Sequence, residues 1–223
     1  MTTTRLSVII PALNAEAYIP ASLAAIGDGP EIILVDGGST DRTIARATAS
    51  GVRVLTAPRG RGGQIAAGIA AATHPWLLLL HADTRLGPDW KTAVAEHVAQ
   101  GADRAGYFRF TLDSADHPRA RRLERLVAWR SRVLGLPYGD QGLLIHRDLL
   151  RSVGGMSAIP LMEDVDLVRR LGRGRLVALP ADALTSAAKW ERDGYLRRSA
   201  RNLLCLSLWF AGVPPRLILR LYA

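Results

Sequence analysis

The sequence predicts an α/β protein with a doubly wound, mostly parallel sheet flanked by helices and followed by a helical C-terminal segment. Strand-like and helix-like segments alternate over residues 1–104, which is typical of strands joined by crossover helices. Apolar runs at 6–10, 31–36 and 76–80 fit strands that are buried on both faces of a parallel sheet. The chain has 223 residues, 48% of them hydrophobic, which suffices for the core of one domain.

In the first half, each predicted strand is rich in β-branched residues or leucine, which favour strands. Each predicted helix follows a turn signal of the kind that precedes helix N-termini. The strands are predicted at residues 6–10, 31–36, 52–55 and 76–80, and the helices at residues 14–25, 41–50, 65–72 and 90–100. Right-handed crossovers between these strands bring Pro11, Asp36 and Asp83 to one edge of the sheet.

The second half has a less regular pattern. Alternation over residues 105–112 predicts a strand, and apolar residues at helical spacing over 118–134, opposite an arginine-rich face, predict a helix. Further strands are predicted at residues 143–145 and 177–179, and further helices near residue 163, at 195–211 and from 215. Because no repeat, low-complexity tract or linker interrupts the chain, residues 1–223 are predicted to form a single domain.

Arginine carries almost all of the positive charge. The net charge is +9, and only Lys91 and Lys189 are lysines. Arginine suits bidentate binding of phosphate or carboxylate, so the partner could be a nucleotide diphosphate, an anionic lipid surface or a nucleic acid. Solvated helix faces are the favoured explanation for most of the arginines. A nucleic-acid partner is disfavoured because no interleaving of aromatic and basic residues occurs and the acids at strand ends would repel phosphates.

The single cysteine, Cys205, excludes an internal disulfide framework and favours a reducing, cytoplasmic compartment. No apolar stretch reaches the roughly 20 residues of a spanning helix, and residues 1–5 lack the apolar core of a signal peptide. Residues 203–210 are apolar and have arginines nearby, so they could lie at the cytosolic face of a membrane. The same segment fits a core helix or a homodimer-forming helix equally well.

Acids and glycines mark the candidate site. Asp83 follows the apolar run 76–80 and could hold a divalent cation, although capping of the turn before Thr84 is an equal alternative. Residues 59–64 combine glycine-rich backbone with two arginines ahead of a helix, which suits a diphosphate. Glu163 and Asp164 lie at a helix start, where they could stabilise the helix end or provide a general base.

Taken in this order, these segments resemble the family-2 glycosyltransferases with the GT-A fold. The resemblance covers residues 5–192, and residues 185–192 also resemble a short bacterial subgroup whose acceptors are unassigned. The matching segments are Ser7-Val8-Ile9-Ile10-Pro11-Ala12-Leu13-Asn14, Val35-Asp36-Gly37-Gly38-Ser39-Thr40-Asp41, Arg59-Gly60-Arg61-Gly62, Ala82-Asp83-Thr84, Gly139-Asp140-Gln141 and Met162-Glu163-Asp164-Val165-Asp166-Leu167. The resemblance implies a nucleotide-sugar-binding half at residues 1–104, an acceptor and catalytic half at 105–192 and a helical segment at 193–223.

The resemblance also implies roles for individual residues. Asp83 would be the metal-binding acid of a DxD-like motif that carries His81 at its first position, with Mn²⁺ or Mg²⁺ as the cofactor. Asp164 would be the catalytic base, supported by Glu163. The residues implied to bind the nucleotide sugar are Pro11, Leu13, Glu16, Asp36, Gly38, Arg59, Arg61, Ala82 and Asp83, and those implied to bind the acceptor are Gly139, Asp140, Gln141 and Trp190.

The implied reaction is inverting, metal-assisted transfer of a sugar from a nucleotide-diphosphate sugar to an alcohol, which would be lipid-linked if the protein meets a membrane. A nucleotidyltransferase acting on a sugar phosphate is an alternative, but it would need a basic, glycine-rich loop after the first strand, which residues 11–16 do not form. A non-catalytic basic module that binds nucleotides or nucleic acid is the second alternative.

Overall fold

A computed structural model describes residues 5–114 and 117–222. Within these residues, eight strands form one sheet in the order β3-β2-β1-β4-β7-β6-β8-β5. Residues 1–4, for which the sequence predicts no signal-peptide core, lie outside the described residues. The strands are β1 Leu6–Ala12, β2 Glu31–Asp36, β3 Arg53–Thr56, β4 Trp76–Leu79, β5 Thr84–Leu86, β6 Ala105–Asp113, β7 Leu143–His146 and β8 Leu176–Ser186.

The first four strands pair as the sequence predicts. β1 is parallel to β2 and to β4, and β2 is parallel to β3. Strand β4 lies in the middle of the sheet, and both Leu77 and Leu78 are fully buried because the two faces of the strand pack into different hydrophobic clusters. This confirms the predicted α/β fold and the doubly buried strand at its centre.

The second half of the sheet is mixed. β7 is antiparallel to both β4 and β6, while β8 is parallel to β6 and antiparallel to β5. The parallel pattern therefore holds for β1 to β4 and not for the whole sheet. Strand β8 is much longer than the predicted residues 177–179, because its alternating burial continues past Pro180 to Ser186.

Helices cover both faces of the sheet, and some of their bounds differ from the prediction. The first helix begins at Ile19 because Asn14 adopts a left-handed conformation with φ of 48° and a turn follows it. The third begins at Arg61, four residues before the predicted start. The helices are α1 Ile19–Ile26, α2 Thr43–Ala49, α3 Arg61–Ala71, α4 Trp90–Ala99, α5 Pro118–Trp129, α6 Arg147–Ser152, α7 Glu163–Leu171, α8 Ala188–Asp193, α9 Tyr195–Phe210 and α10 Pro215–Tyr222.

Shorter helical turns connect some of these elements. The predicted helix 118–134 is α5 followed by a π-helical turn, Arg130–Leu134. A 3₁₀ turn, Gly139–Gln141, precedes β7. At the C-terminus, Cys205 of α9 and Ile218 of α10 are fully buried, so both helices pack onto the domain. Over the described residues, every helix is too short or too polar to cross a bilayer.

Candidate active site

A cavity of about 800 Å³, its open mouth included, lies beside the end of β4. Six separate stretches of the chain line it: the start of α3, the loop after β4, the 3₁₀ turn before β7, the start of α7, the link from β8 into α8, and α9. Asp83 and Asp164, which are predicted to share a site, both line this cavity together with Arg61. A second cavity of about 430 Å³ adjoins it and shares His81, Tyr138 and Asp164 with it.

Asp83 is held at the cavity by the strands that follow it. The Ser186 N–H donates to the backbone oxygen of Asp83 at 3.1 Å, and β5 pairs with β8 from Thr84 opposite Thr185. The Lys189 ammonium donates to Asp83 Oδ2 at 2.8 Å. Burial would raise the pKa of Asp83, but Lys189 outweighs it and holds the pKa below its usual value.

His81 lies in the same cavity wall, and its side chain is neutral at pH 7. Burial, reinforced by the Arg61 charge, lowers the pKa of His81 to about 4. The His81 ring fits tightly over Gly139, where a β-carbon would come within 2.4 Å of Nε2. Among the described residues, no group of three or more His, Cys, Asp or Glu side chains is spaced to hold a metal ion.

Asp164 presents an ionised carboxylate to the cavity. The Gly139 N–H donates to Asp164 Oδ2 at 2.8 Å, and the Val165 N–H donates to Asp164 Oδ1 at 2.8 Å. Burial raises the pKa of Asp164, but the Arg61 charge and these N–H groups prevail, so the pKa lies below its usual value. The carboxylate is thus fixed in orientation and charged at neutral pH.

Glu163 and Arg61 form a buried ion pair that joins α3 to α7. The Arg61 Nε lies 2.8 Å from Glu163 Oε1, and Glu163 is fully buried. Burial raises the pKa of Glu163 to about 7 even though Arg61 opposes the shift. Arg61 therefore fixes the start of the helix that carries Asp164, while it also lines the cavity.

The 3₁₀ turn supplies the residues predicted to border the acceptor. Asp140 lines the cavity, its Oδ1 is buried without a hydrogen-bond partner, and burial with the nearby Asp164 charge raises its pKa to about 6. Gln141 is buried and does not line the cavity, because its side chain donates to the Phe108 carbonyl at 3.1 Å and accepts from Ser131 at 2.8 Å. Gln141 therefore holds the turn in place.

Trp190 forms a wall of the cavity. It is 8% exposed, stacks on Tyr195 with ring centroids 6.1 Å apart and lies under the Arg198 guanidinium. Arg198 and Asn202 of α9 also line the cavity. The C-terminal helix therefore contributes directly to the site, which the division of the sequence at residue 193 does not anticipate.

Of the residues predicted to bind the nucleotide sugar, six line neither of these two cavities: Leu13, Glu16, Asp36, Gly38, Arg59 and Ala82. Asp36 ends β2, is 1% exposed, and accepts from the N–H groups of Gly38 and Ser39 at 2.8 and 2.9 Å. Pro11 lines the adjoining cavity. The others are Leu13, which is half-buried, Glu16, whose side chain accepts from the Arg42 N–H, Arg59, which is exposed, and Ala82, whose carbonyl accepts from Ser22.

Two residues with clear roles are absent from the sequence predictions. Gln64 Nε2 donates to the carbonyls of Ala12 and Val35 at 2.9 and 2.8 Å, so it joins the ends of β1 and β2 to α3. Lys189 neutralises Asp83. Two features of the sequence could have identified Lys189: it is one of only two lysines, and it lies in the segment 185–192 that resembles a bacterial subgroup of the family.

Comparison with known proteins agrees with this architecture. An uncharacterised glycosyltransferase of Mycobacterium tuberculosis is 34% identical over 128 residues, which are 56% of this chain and 59% of that protein. The undecaprenyl-phosphate 4-deoxy-4-formamido-L-arabinose transferase of Pseudomonas aeruginosa is 31% identical over 156 residues, which are 63% of this chain and 45% of that enzyme. The alignments thus span about half of each of these relatives.

Solved structures share the fold at low sequence identity. Staphylococcus aureus TarS (residues 1–349) aligns with a TM-score of 0.65 and 15% identity over 92% of this chain and 65% of that chain. Glucosyl-3-phosphoglycerate synthase from M. tuberculosis, crystallised with Mn²⁺, UDP and glucosyl-3-phosphoglycerate, aligns with a TM-score of 0.58 and 22% identity over 95% of this chain and 81% of that chain.

The structure has the GT-A fold of these neighbours. The sequence profile of glycosyl transferase family 2 matches residues 7–156. The chain belongs to this family, as the order of its strand-end motifs predicts.

Proposed function

We propose that this protein transfers a sugar, with inversion, from a nucleotide-diphosphate sugar to an alcohol acceptor. The observation that carries the proposal is that Asp83, Asp164 and Arg61 line one cavity although they come from three distant parts of the chain. Residues 1–104 would bind the donor, and residues 105–192 would bind the acceptor and provide the base. Sequence similarity to an undecaprenyl-phosphate 4-deoxy-4-formamido-L-arabinose transferase, and a fold shared with a synthase crystallised with UDP, support the same assignment.

Asp164 is the general base in this proposal. It takes the proton of the acceptor hydroxyl while the acceptor oxygen forms a bond to the anomeric carbon and the bond from that carbon to the diphosphate breaks. Its two N–H donors hold the carboxylate still, and Arg61 keeps it ionised. Glu163 supports it through the ion pair with Arg61. A positioned base of this kind contributes about 10²–10⁴-fold to the rate.

The departing diphosphate needs positive charge around it. Arg61 supplies charge from the cavity wall, and Arg59 lies exposed two residues earlier, in the loop before α3. Asp83 would hold a divalent cation, Mn²⁺ or Mg²⁺, which would supply further positive charge to the diphosphate. Asp36 and its glycine turn would accept hydrogen bonds from the ribose or base.

The acceptor would lie between the 3₁₀ turn and α8. Asp140 offers a buried, unpartnered oxygen to an acceptor hydroxyl, and Trp190 offers a flat apolar wall. Retention of a buried acid without a partner costs stability, which favours a role in binding over a structural one. Gly139 contributes its N–H to Asp164, and Gln141 fixes the turn.

Nucleotide diphosphates with Mn²⁺ should raise the melting temperature. At a ligand concentration about 100 times Kd, binding adds about 2.7 kcal/mol, which corresponds to a shift of about 5–10 °C for a chain of this size. UDP, GDP, ADP and dTDP would be screened by thermal shift with and without Mn²⁺. For the nucleotide that gives the largest shift, release of the diphosphate from the corresponding sugar nucleotide would then be measured. Asp83→Asn should lose the Mn²⁺-dependent part, and the exposed Asp148→Asn should behave as wild type. No shift with any nucleotide would refute donor binding.

We further propose that α9 and α10 meet an anionic membrane surface, which would suit a lipid-linked acceptor. The face of these helices that carries Cys205 and Ile218 is buried, whereas the opposite face exposes large apolar side chains. Exposed arginines flank them, which suits anionic headgroups. The exposed apolar residues are Leu196, Leu203, Leu204, Phe210, Leu217, Leu219 and Leu221, and the exposed arginines are Arg197, Arg216 and Arg220.

The membrane proposal predicts salt-sensitive sedimentation with vesicles. Wild-type protein should co-sediment with phosphatidylglycerol-containing liposomes at low salt, and Leu217→Ser combined with Leu221→Ser should reduce the bound fraction several-fold. Arg46→Ser, an exposed arginine on α2 at a distant part of the chain, is the matched control. If the protein stays in the supernatant and forms dimers in sedimentation velocity, the apolar face is a homodimer interface instead.

A further inference from the structure

The ion pair between Lys189 and Asp83 has no role in the reaction described above. The Lys189 Nζ lies 2.8 Å from Asp83 Oδ2, and the two residues are 106 positions apart in the chain. Both line the cavity that also holds Arg61 and Asp164. The pair therefore places a lysine at the carboxylate to which the proposed function assigns the divalent cation.

We propose that Lys189 keeps the Asp83 carboxylate neutralised until the nucleotide diphosphate arrives with its cation, so that the protein binds the cation much more tightly together with the nucleotide than alone. This inference rests on the proposed function, because it assigns a partner to the same acid. Lys189 is a positioning residue in this scheme: it acts on the cation through Asp83.

The backbone brings residues 83 and 189 close together. Residues Thr84 and Thr185 face each other in the β5–β8 pairing, and their hydroxyl oxygens lie 3.1 Å apart. Ser186 donates its N–H to the Asp83 carbonyl, and Lys189 follows three residues later in the first turn of α8. The β5–β8 pairing thus places Lys189 beside Asp83.

The surroundings of Asp83 favour joint binding of the cation and the nucleotide. The described residues contain no cluster of three metal-binding side chains, and the Lys189 ammonium already contacts the Asp83 carboxylate. A free cation would have to displace the lysine and would gain one firmly placed carboxylate. A cation that arrives with a diphosphate brings phosphate oxygens, and these can also receive the displaced ammonium.

The exposure of the two side chains allows this exchange. The Asp83 side chain is 14% exposed, whereas the Lys189 side chain is 47% exposed and can turn towards a ligand in the cavity. A lysine ammonium on four methylene groups moves at low cost, because several of its rotamers are accessible at this exposure.

Mn²⁺ binding tests the inference directly. Free Mn²⁺ would be measured by electron paramagnetic resonance during titration of wild-type protein, Lys189→Met, Lys189→Arg and the double variant with Asp83→Asn, each with and without UDP. The wild type should bind Mn²⁺ at least tenfold more tightly with UDP than without it. Lys189→Met should bind Mn²⁺ without UDP at least tenfold more tightly than the wild type, Lys189→Arg should resemble the wild type, and the double variant should lose the gain.

Lys91→Met is the matched control, since the second lysine of the chain binds the Asp28 carbonyl away from the cavity. Equal Mn²⁺ affinities of the wild type and Lys189→Met without UDP would overturn the inference. So would absence of Mn²⁺ binding in every protein, which would also remove the cation from the proposed reaction. Release of diphosphate from a sugar nucleotide in EDTA would then still support sugar transfer, so the two failures are distinguishable.

Discussion

Asp164→Asn is expected to lower kcat for sugar transfer by about 10²–10⁴-fold and to leave nucleotide-diphosphate affinity within about threefold of the wild type. The asparagine keeps the size of the side chain and one oxygen for the Gly139 or Val165 N–H, but it cannot take a proton. Steady-state kinetics with the donor identified by thermal shift, together with calorimetry of the nucleotide diphosphate, would measure both effects.

Two further variants make this result specific. Asp148→Asn removes a carboxylate that is 74% exposed on α6 and should keep full activity. Asp140→Asn removes the second acid of the acceptor side and should raise KM for the acceptor more than it lowers kcat, because Asp140 holds the hydroxyl in the proposal. If Asp164→Asn loses nucleotide binding along with activity, Asp164 is structural; if Asp140→Asn loses kcat instead, Asp140 is the base.

The convergence of acids at one edge of the sheet is predictable from sequence because of strand polarity. Parallel strands end at the same edge, so apolar runs that end at Asp36 and Asp83 place both residues there without further knowledge. The burial of Leu77 and Leu78 follows from the same pattern. The fold and the family were therefore within reach of the sequence.

The ion pairs that complete the site cannot be predicted from strand and helix patterns. Lys189 reaches Asp83 only because β5 pairs antiparallel with β8, and β5 has just three residues, too few to show a period. Arg61 and Glu163 are 102 positions apart, and their contact depends on how α3 packs against α7. These contacts are determined by tertiary packing and cannot be predicted from the local sequence.

The C-terminal helix illustrates the same limit. Its apolar residues are compatible with a core, a membrane or a second subunit, because amphipathicity does not identify what covers each face. The structure divides the residues: Cys205 is buried, Leu203 and Leu204 are exposed, and Asn202 faces the cavity. One helix therefore contributes to the core, to an exposed apolar surface and to the site.

Gly62→Ala is expected to destabilise the protein by about 1–3 kcal/mol in the free energy of unfolding and to lower kcat/KM more than tenfold. A β-carbon at Gly62 would lie 2.3 Å from the Ser157 carbonyl oxygen and 2.6 Å from that of Ile159, and both are backbone atoms that cannot rotate away. The start of α3 would have to move off the segment that leads into α7. Arg61, the preceding residue, would then lose its position against Glu163.

Gly63→Ala separates this packing effect from helix propensity. Gly63 is in the same turn of α3, and a β-carbon there meets nothing within 4 Å. Because alanine favours a helix over glycine by about 1 kcal/mol, Gly63→Ala should be neutral or slightly stabilising and keep its activity. Urea unfolding at unchanged m-value, with kcat/KM for the same donor, would compare the two. Equal stability of both variants would mean that α3 does not pack against residues 157–159. It would then no longer follow that Arg61 orders the helix that carries Asp164.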